Sequence, residues 1–401
     1  MISKKKIASI VVIILIVLGY ETFMLTSLFN YFWGISMVTS TLGFLIFVFY
    51  FKTFPKLLRQ FGILSIALFL LSIYSSHNYF GQSLYSGVIA SSSLYITGSA
   101  FLIYYLIIKY KIEFNSVTKS ITKTSWLVFF ALILVYLIGT NIGLVTESSE
   151  RALRKGFINF GAIIYLAFFF KRKHFAYLFF SLLLFSTNHW YDFQRIIVFA
   201  YIACFLILTL YFRRKNVSTL VLMVSMILAP IIFTIGANTE VGKMVEKKIS
   251  YIFQIFEDDK DKRNNDDSSI TVRYYESEYA IESIKKHPIT GVGIIRSSEK
   301  DKYIKLDHFY VSDIGLIGVY YSFGIIGAFL YFFQWRYFFK RFINKVNELS
   351  DIELGLLIYI LYMLLRTIST GSTLNAPAEF LIIVALFEAS RTQKLISENA
   401  E

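Results

Sequence analysis

The stretch FINFGAIIYLAFFFKRKHFAYLFFSLLLF, residues 157–185, decides the fold class. Two strongly apolar cores, Phe157–Phe170 and Phe175–Phe185, are separated by a short basic cluster, Lys171–Lys173. The same alternation runs along the whole chain. Further apolar cores lie at Ile7–Leu18, Thr39–Phe51, Ile63–Tyr74, Leu94–Ile108, Leu127–Gly143, Ile196–Phe212, Val217–Gly236, Val311–Phe333, Leu354–Leu365 and Ala378–Phe387. Extended into their flanks, most reach the ~20 residues that a helix needs to cross a bilayer, which predicts an all-α polytopic membrane protein of about twelve transmembrane helices.

Composition agrees. Of 401 residues, 56% are hydrophobic and only 17% are charged, with a mean hydropathy of +0.59. A soluble chain of this length has no way to hide so much apolar surface. The net charge of +13 raises the question of a nucleic-acid partner, and the distribution of charge answers it. With the N-terminus in the cytoplasm and sides alternating, the cytoplasmic segments hold Lys4–Lys6, Lys52, Lys56, Arg59, Lys109, Lys111, Lys119, Lys123, Lys171–Lys173, Arg213–Lys215, Arg336, Lys340, Arg341, Lys345, Arg391 and Lys394, which is 22 of the 40 basic residues. The short outer segments hold 5: Arg151, Arg154, Lys155, Arg195 and Arg366. The other 13 lie in one long segment, Ala237–His308, whose 14 acids bring it to a net −1. That is the positive-inside pattern, from which long loops are exempt. It predicts cytoplasmic N- and C-termini and no nucleic-acid partner.

Residues 1–401 read as one integral membrane domain with a large extracytoplasmic loop, 237–308, inserted in it. Lys4–Lys6 ahead of Ile7–Leu18 has the form of a signal peptide, but Gly19-Tyr20-Glu21-Thr22 is a poor cleavage site, so an uncleaved first span is expected. The one cysteine, Cys204, lies within a span and forms no intrachain disulfide. No GxGxxG, Walker loop or HExxH occurs, so neither a cofactor nor a metal is expected. Within the loop, Glu240–Phe256 has helical spacing with an apolar stripe suited to the membrane interface. Glu257–Ser269 is charged and lacks apolar residues, as a mobile linker would. Thr271–Lys286 reads as a second helix that stops before Pro288, because the residue preceding a proline disfavours helical geometry. Thr290-Gly291-Val292-Gly293 then forms a turn toward the next span.

An ionisable group near the membrane is costly and usually faces a cavity. Three clusters qualify, each with a plain alternative. Asn188–Arg195 reads as a tight outer turn, with Arg195 opening a span; the alternative is an interface belt of Trp190 and Tyr191 with Arg195 paired to Asp192. Arg273 stands near the start of the loop helix, where an arginine is commonly just solvated. His308, in Asp307-His308-Phe309-Tyr310, precedes a span, where histidine is commonly structural. Lesser candidates are Arg296, Glu21, and Arg366 ahead of Thr370-Gly371-Ser372-Thr373; Arg366 lines a cavity or snorkels. Asp258, Asp259 and Asp261 resemble a divalent-metal cluster but sit in the mobile acidic run, which favours solvation.

The order of these pieces carries more than each alone. Gln194-Arg195-Ile196, then Arg273-Tyr274-Tyr275, then His287-Pro288-Ile289-Thr290-Gly291-Val292-Gly293, then Leu306-Asp307-His308-Phe309-Tyr310, then Gly324-Ile325-Ile326-Gly327 resembles the Wzy-like O-antigen ligase and polymerase superfamily. The likeness covers roughly Asn188 to Leu330; elsewhere only span count and topology match. One departure stands out. The family's asparagine after the histidine is Phe309 here, so a hydrogen bond it makes must be lost or supplied elsewhere.

The resemblance implies a glycosyltransferase that takes a glycan from a polyprenyl (undecaprenyl) diphosphate carrier and passes it to a hydroxyl acceptor, at the outer face of a bacterial cytoplasmic membrane. It implies Arg195 and Arg273 as diphosphate contacts, since planar guanidinium groups stabilise the charge that grows on the leaving group without a metal. It implies His308 as general base, a role that suits imidazole near neutral pH. Asp192, Arg296, Arg366, Gly291 and Gly293 are supporting candidates. Attack opposite the diphosphate would invert the anomeric centre. A repeat-unit polymerase of capsule or exopolysaccharide synthesis is preferred to a ligase, which needs a lipid A core acceptor. The Ile/Lys/Tyr/Phe-rich, proline-poor chain has the character of an AT-rich genome, which says little about the envelope. A flippase and a chain-length regulator are the expected partners. A lipid-linked oligosaccharide transporter remains the rival class; it shares the span count and a cationic cavity but has no need of a histidine beside an outer loop. A receptor-like or structural membrane protein would leave the three clusters unexplained.

Overall fold

The computed structural model describes residues 3–19, 29–139, 156–191, 195–213, 268–304, 309–345, 348–370 and 377–398. Helix is the only regular structure among them. In chain order the helices are α1 (Lys4–Gly19), α2 (Phe29–Phe49), α3 (Lys56–Phe80), α4 (Leu84–Ala90), α5 (Ser92–Tyr95), α6 (Gly98–Lys109), α7 (Phe114–Gly139), α8 (Gly156–Arg172), α9 (Phe175–Tyr191), α10 (Arg195–Arg213), α11 (Ser268–Lys286), α12 (Lys300–Tyr303), α13 (Gly315–Lys345), α14 (Asp351–Thr370) and α15 (Pro377–Glu398). The apolar cores read from the sequence fall on these helices, apart from Val217–Gly236 and the last residues of Leu127–Gly143, which lie outside the described residues. By length and composition, Lys56–Phe80, Ser92–Lys109 and Gly315–Phe342 are long and apolar enough to cross a membrane; Trp33–Phe49, Phe175–Ser186 and Val198–Phe212 are shorter apolar helices.

A helix that is apolar all round belongs in the interior of a bundle. Two helices behave so: Leu354–Leu364 of α14 and Phe380–Ala389 of α15 are buried without interruption. Around them pack α8, α10 and α13 on α14, and α3 and α6 on α15. The peripheral helices turn large apolar side chains outward. Phe49 is 79% exposed and Phe332 67%, and Val48, Leu70, Phe130, Phe179 and Leu210 are exposed with them. Water would penalise such a girdle at about 25 cal/mol per Å² of apolar surface, whereas lipid would not. With satisfied helical backbone inside and apolar side chains outside, the chain is an integral membrane protein.

Polar contacts gather several loops at one end of the bundle. Lys5 Nζ donates to Glu113 Oε1 at 3.2 Å, and Gln393 Nε2 to the Ile112 carbonyl at 2.8 Å. Lys171 Nζ donates to the Leu349 carbonyl at 2.8 Å, and Arg172 Nε to Asp351 Oδ2 at 2.5 Å. These are segments that the charge pattern assigns to a common side. A buried ion pair lies toward the same end: Arg341 grips Glu388 with Nη2 at 2.7 and 2.8 Å from its two oxygens, and the Tyr337 hydroxyl donates to Oε1 at 2.8 Å. Such a pair is balanced as a pair, and removing one member would strand a buried charge.

The structure differs from the sequence reading in several boundaries, and α11 takes in Ser268 and Ser269, which the sequence reading assigns to the mobile linker. Val311–Phe333 is not one continuous helix. It opens as a 3₁₀ turn, Val311–Ile314, and breaks again at Gly324, where φ is 59° and ψ is −153°. The outer turn expected over Asn188–Arg195 is also shorter, because α9 runs on through Tyr191 and α10 begins at Arg195. Asp192, His308, Glu21, the stripe Glu240–Phe256 and the acidic run Glu257–Asp267 lie outside the described residues.

Candidate active site

The loop helix expected over Thr271–Lys286 is α11, which starts three residues earlier at Ser268 and ends at Lys286, two residues before Pro288. The chain then reverses. The His287 amide donates to the Ser283 carbonyl at 3.2 Å, and the Gly291 amide to the His287 carbonyl at 3.1 Å. Gly291 and Gly293 take φ values of 66° and 81°, a region open to glycine and costly for other residues.

This turn docks into the break in α13. An unbroken helix would pair the Ile325 amide with the Tyr321 carbonyl. Here the Ile325 amide donates to the Pro288 carbonyl at 3.0 Å, and the Tyr321 carbonyl accepts from the Val292 amide at 2.9 Å. The Gly293 amide donates to the next carbonyl, that of Ser322, at 2.9 Å. The backbone groups released by the break are thus re-partnered by the turn, as non-helical backbone in a membrane protein requires. The approach is close enough to demand glycine on both sides. A Cβ on Gly291 would stand 2.5 Å from the Phe323 amide nitrogen, and one on Gly324 would collide with the Ile289 carbonyl oxygen.

On its other side the turn lies on α3 and α4. A Cβ on Gly293 would stand 2.5 Å from the Ser76 amide nitrogen. The Ile294 amide donates to Ser72 Oγ at 3.2 Å, and Ser91 Oγ donates to the same oxygen at 2.8 Å. Gln82 is fully buried and spends its amide on the loop: Nε2 donates to the Ile294 carbonyl at 3.2 Å, and Oε1 accepts from the Arg296 amide at 2.9 Å. Ser86 Oγ donates to Glu299 Oε1 at 2.5 Å, and the Arg296 guanidinium lies 3.5 Å from that oxygen. Arg296, a supporting candidate from the sequence, therefore belongs to the junction between loop and α4. The sequence reading passed over this polar bed. Its signal was the small polar run Ser72, Ser75, Ser76 near the end of an apolar helix, followed by Gln82.

Phe309 fills the centre of a small separate core. It is 2% exposed, with its ring 5.1 Å from Tyr279 and 5.2 Å from Tyr321, and Ala280, Val292, Ile304 and Ile314 complete the cluster. The departure from the family's asparagine is thus an aromatic packing position. Burial, with Tyr79 adding to it, raises the Tyr279 phenol above its ordinary value, so its proton is held at neutral pH. Glu276, also buried, accepts the Tyr310 amide at 2.6 Å. Ile304 and Phe309, the described residues on either side of 305–308, are both buried.

Arg195 is the first residue of α10, and position 273 stands one turn before Glu276 in α11. α10 packs on α14; α14 touches the Val311–Ile314 turn; α11 touches that turn and α13. The helices that bear Arg195 and position 273 are thus linked through α14 and the Val311–Ile314 turn. Arg366 lies on α14 itself, half-buried, one turn beyond the buried Tyr362, whose hydroxyl sits in the field of both Arg366 and Glu379. The Tyr359 hydroxyl donates to Glu379. Among the described residues no group of three or more His, Cys, Asp or Glu side chains is arranged to hold a metal.

A protein-family model described as O-antigen ligase matches residues 180–332. That stretch is similar to the O-antigen ligase family. The match begins in α9, passes Arg195, Arg273, the glycine turn and His308, and ends beyond the Gly324 break in α13, so it takes in the motif-bearing stretch picked out by resemblance. Members of that family are glycosyltransferase-like enzymes that act on lipid-linked glycans. No curated protein matches the chain.

Proposed function

We propose that this protein is a polysaccharide polymerase. It transfers a growing glycan from a polyprenyl diphosphate carrier to a hydroxyl of the next lipid-linked repeat unit, at the outer face of a bacterial cytoplasmic membrane. The observation that carries this reading is the docking of the Pro288–Gly293 turn into the break of α13, inside the segment that the O-antigen ligase family covers. A loop fixed to a broken membrane helix is a rigid base for groups that must meet a lipid headgroup at the bilayer surface.

In this mechanism the acceptor oxygen attacks the anomeric carbon from the face opposite the diphosphate. The carbon–oxygen bond to the diphosphate breaks, its electron pair leaves with the diphosphate, and the configuration inverts. His308 takes the acceptor proton. Arg195 and Arg273 bind the charge that grows on the leaving group. In this reading the chain crosses the membrane about twelve times with both termini cytoplasmic, an arrangement that the positive-inside pattern supports. A flippase presents the carrier, and a chain-length regulator acts with the polymerase.

Arginine identity is the test of the diphosphate contacts. A guanidinium offers a planar fork to phosphate, whereas lysine offers a point charge. Arg195→Lys and Arg273→Lys should each cut polymer synthesis on the order of tenfold or more, the worth of about one charge-assisted hydrogen bond, at unchanged protein level. Normal polymer length and yield in both variants would rule the role out.

Metal dependence separates this reading from a metal-using glycosyltransferase. Asp258, Asp259 and Asp261, changed together to Asn, should leave activity within about twofold, as for exposed charges in a solvated run. Activity of the purified enzyme should likewise survive EDTA. Loss of activity to the chelator with rescue by Mg²⁺ or Mn²⁺ would overturn it.

A further inference from the structure

At the end of the bundle remote from the glycine turn, a cavity of about 220 Å³ opens between the start of α3 and the second half of α13. Its α13 wall is Phe333, Arg336, Tyr337, Lys340 and Arg341, which fall on one face at the i, i+3, i+4, i+7 and i+8 positions. Its α3 wall is Pro55, Lys56, Leu57 and Gln60. Four cationic side chains thus line it, and no acidic residue does. The nearest carboxylate, Glu388, is gripped by Arg341 through both oxygens and also takes the Tyr337 hydroxyl, so it is committed to one of the four. Lys56, Arg336 and Lys340 remain at the mouth without a counter-ion among the lining residues.

Helix geometry adds to the positive field. α3 begins at this cavity, Pro55 is its N-cap, and no side chain caps it. The N-terminal, positive end of the dipole of a 25-residue helix therefore lies beside the cavity. The positive-inside pattern accounts for basic residues at this end, but not for a concave site with a helix N-terminus at its base.

We infer that the cavity between α3 and α13 binds a phosphate-bearing anion, and that its occupant is the headgroup of an anionic phospholipid in the leaflet at this end of the bundle. Lys56, Arg336 and Lys340 hold the phosphate at the rim. Leu57 and Phe333 give the cavity an apolar wall against which the lipid's glycerol and upper acyl chain can lie. Basic pockets between membrane helices are a recognised form of such a site. The inference rests on the membrane architecture and is independent of the polymerase reading.

The test uses the full-length protein, stripped of lipid in detergent and re-supplied with phosphatidylglycerol or phosphatidylcholine, with bound lipids counted by native mass spectrometry. One phosphatidylglycerol per chain is expected to stay bound in preference to phosphatidylcholine. The triple variant Lys56→Gln, Arg336→Gln, Lys340→Gln should lower that occupancy roughly tenfold, with its melting temperature near wild type because the Arg341–Glu388 pair is untouched. Gln60→Trp, which fills the cavity and keeps every charge, should do the same. If Gln60→Trp binds as wild type does, the attraction is diffuse and the site does not exist; equal retention by the triple variant has the same meaning. Calorimetry with inorganic pyrophosphate distinguishes the sources. Binding of pyrophosphate without any phosphatidylglycerol preference would overturn the lipid assignment in favour of a soluble phosphate.

Discussion

In cells carrying His308→Ala, polymer should disappear and single repeat units should accumulate on the lipid carrier, exposed at the outer face. A general base in a glycosyl transfer is worth roughly 10² to 10⁴ in rate, enough to erase visible chain growth. Ile304 and Phe309 are both buried, and the Tyr310 amide is tied to Glu276 at 2.6 Å, so the backbone on either side of Asp307-His308 is fixed. To accept a proton the imidazole must be neutral. A polymerisation rate that falls as pH drops through the imidazole's pKa therefore belongs to the same expectation. The readout is carrier-linked single units detected by an external lectin, with protein level and melting temperature unchanged. Units trapped on the inner face would favour a transporter. Full-length polymer would return His308 to a structural role, and glycan joined to a lipid A core would make the enzyme a ligase.

Much of this architecture was legible in the sequence, because membrane helices announce themselves in one dimension. Apolar cores separated by basic clusters located the helices, and the positive-inside rule grouped the loops that meet through Lys5–Glu113 and Arg172–Asp351. Pro288 gave the end of α11 to within two residues. The motif order marked nearly the same stretch as the family match, residues 180–332. What escaped the reading depends on contacts between segments distant in the chain. Gly324 looked like one end of a glycine-flanked motif in an apolar span. That it breaks the helix became visible only with Val292 and Pro288 on its exposed backbone groups. Gln82 and Ser72 are more than 200 residues from the loop they hold, and nothing local to them names that partner. Phe309 read as a lost hydrogen bond because its neighbours, Tyr279 and Tyr321, come from two other helices.

The same long-range fit makes Gly293 a sensitive backbone position, and Gly81 provides its control. Both glycines have positive φ, 81° and 67°. A Cβ on Gly81 meets nothing within 4 Å. Gly81→Ala should therefore show backbone strain alone, roughly 1–2 kcal/mol of stability, with polymer synthesis close to normal. A Cβ on Gly293 carries the same strain and also strikes α3, colliding with the Ser72 carbonyl oxygen and standing 2.5 Å from the Ser76 amide nitrogen. Neither atom belongs to a flexible side chain, so neither can swing aside, and the turn must lift. Lifting it breaks the hydrogen bonds that the Val292 and Gly293 amides donate to α13 and the one that the Ile294 amide donates to Ser72 Oγ together. A displacement of about 1 Å at a catalytic framework can cost on the order of 100-fold in rate, so Gly293→Ala should lose that much polymer synthesis while the helical bundle still inserts. Hydrogen exchange gives the second reading: amides 291–296 should exchange faster in Gly293→Ala and remain protected in Gly81→Ala. Equal activity in the two variants would mean that the docked turn has no part in glycan transfer, and the site would have to be sought elsewhere around α14.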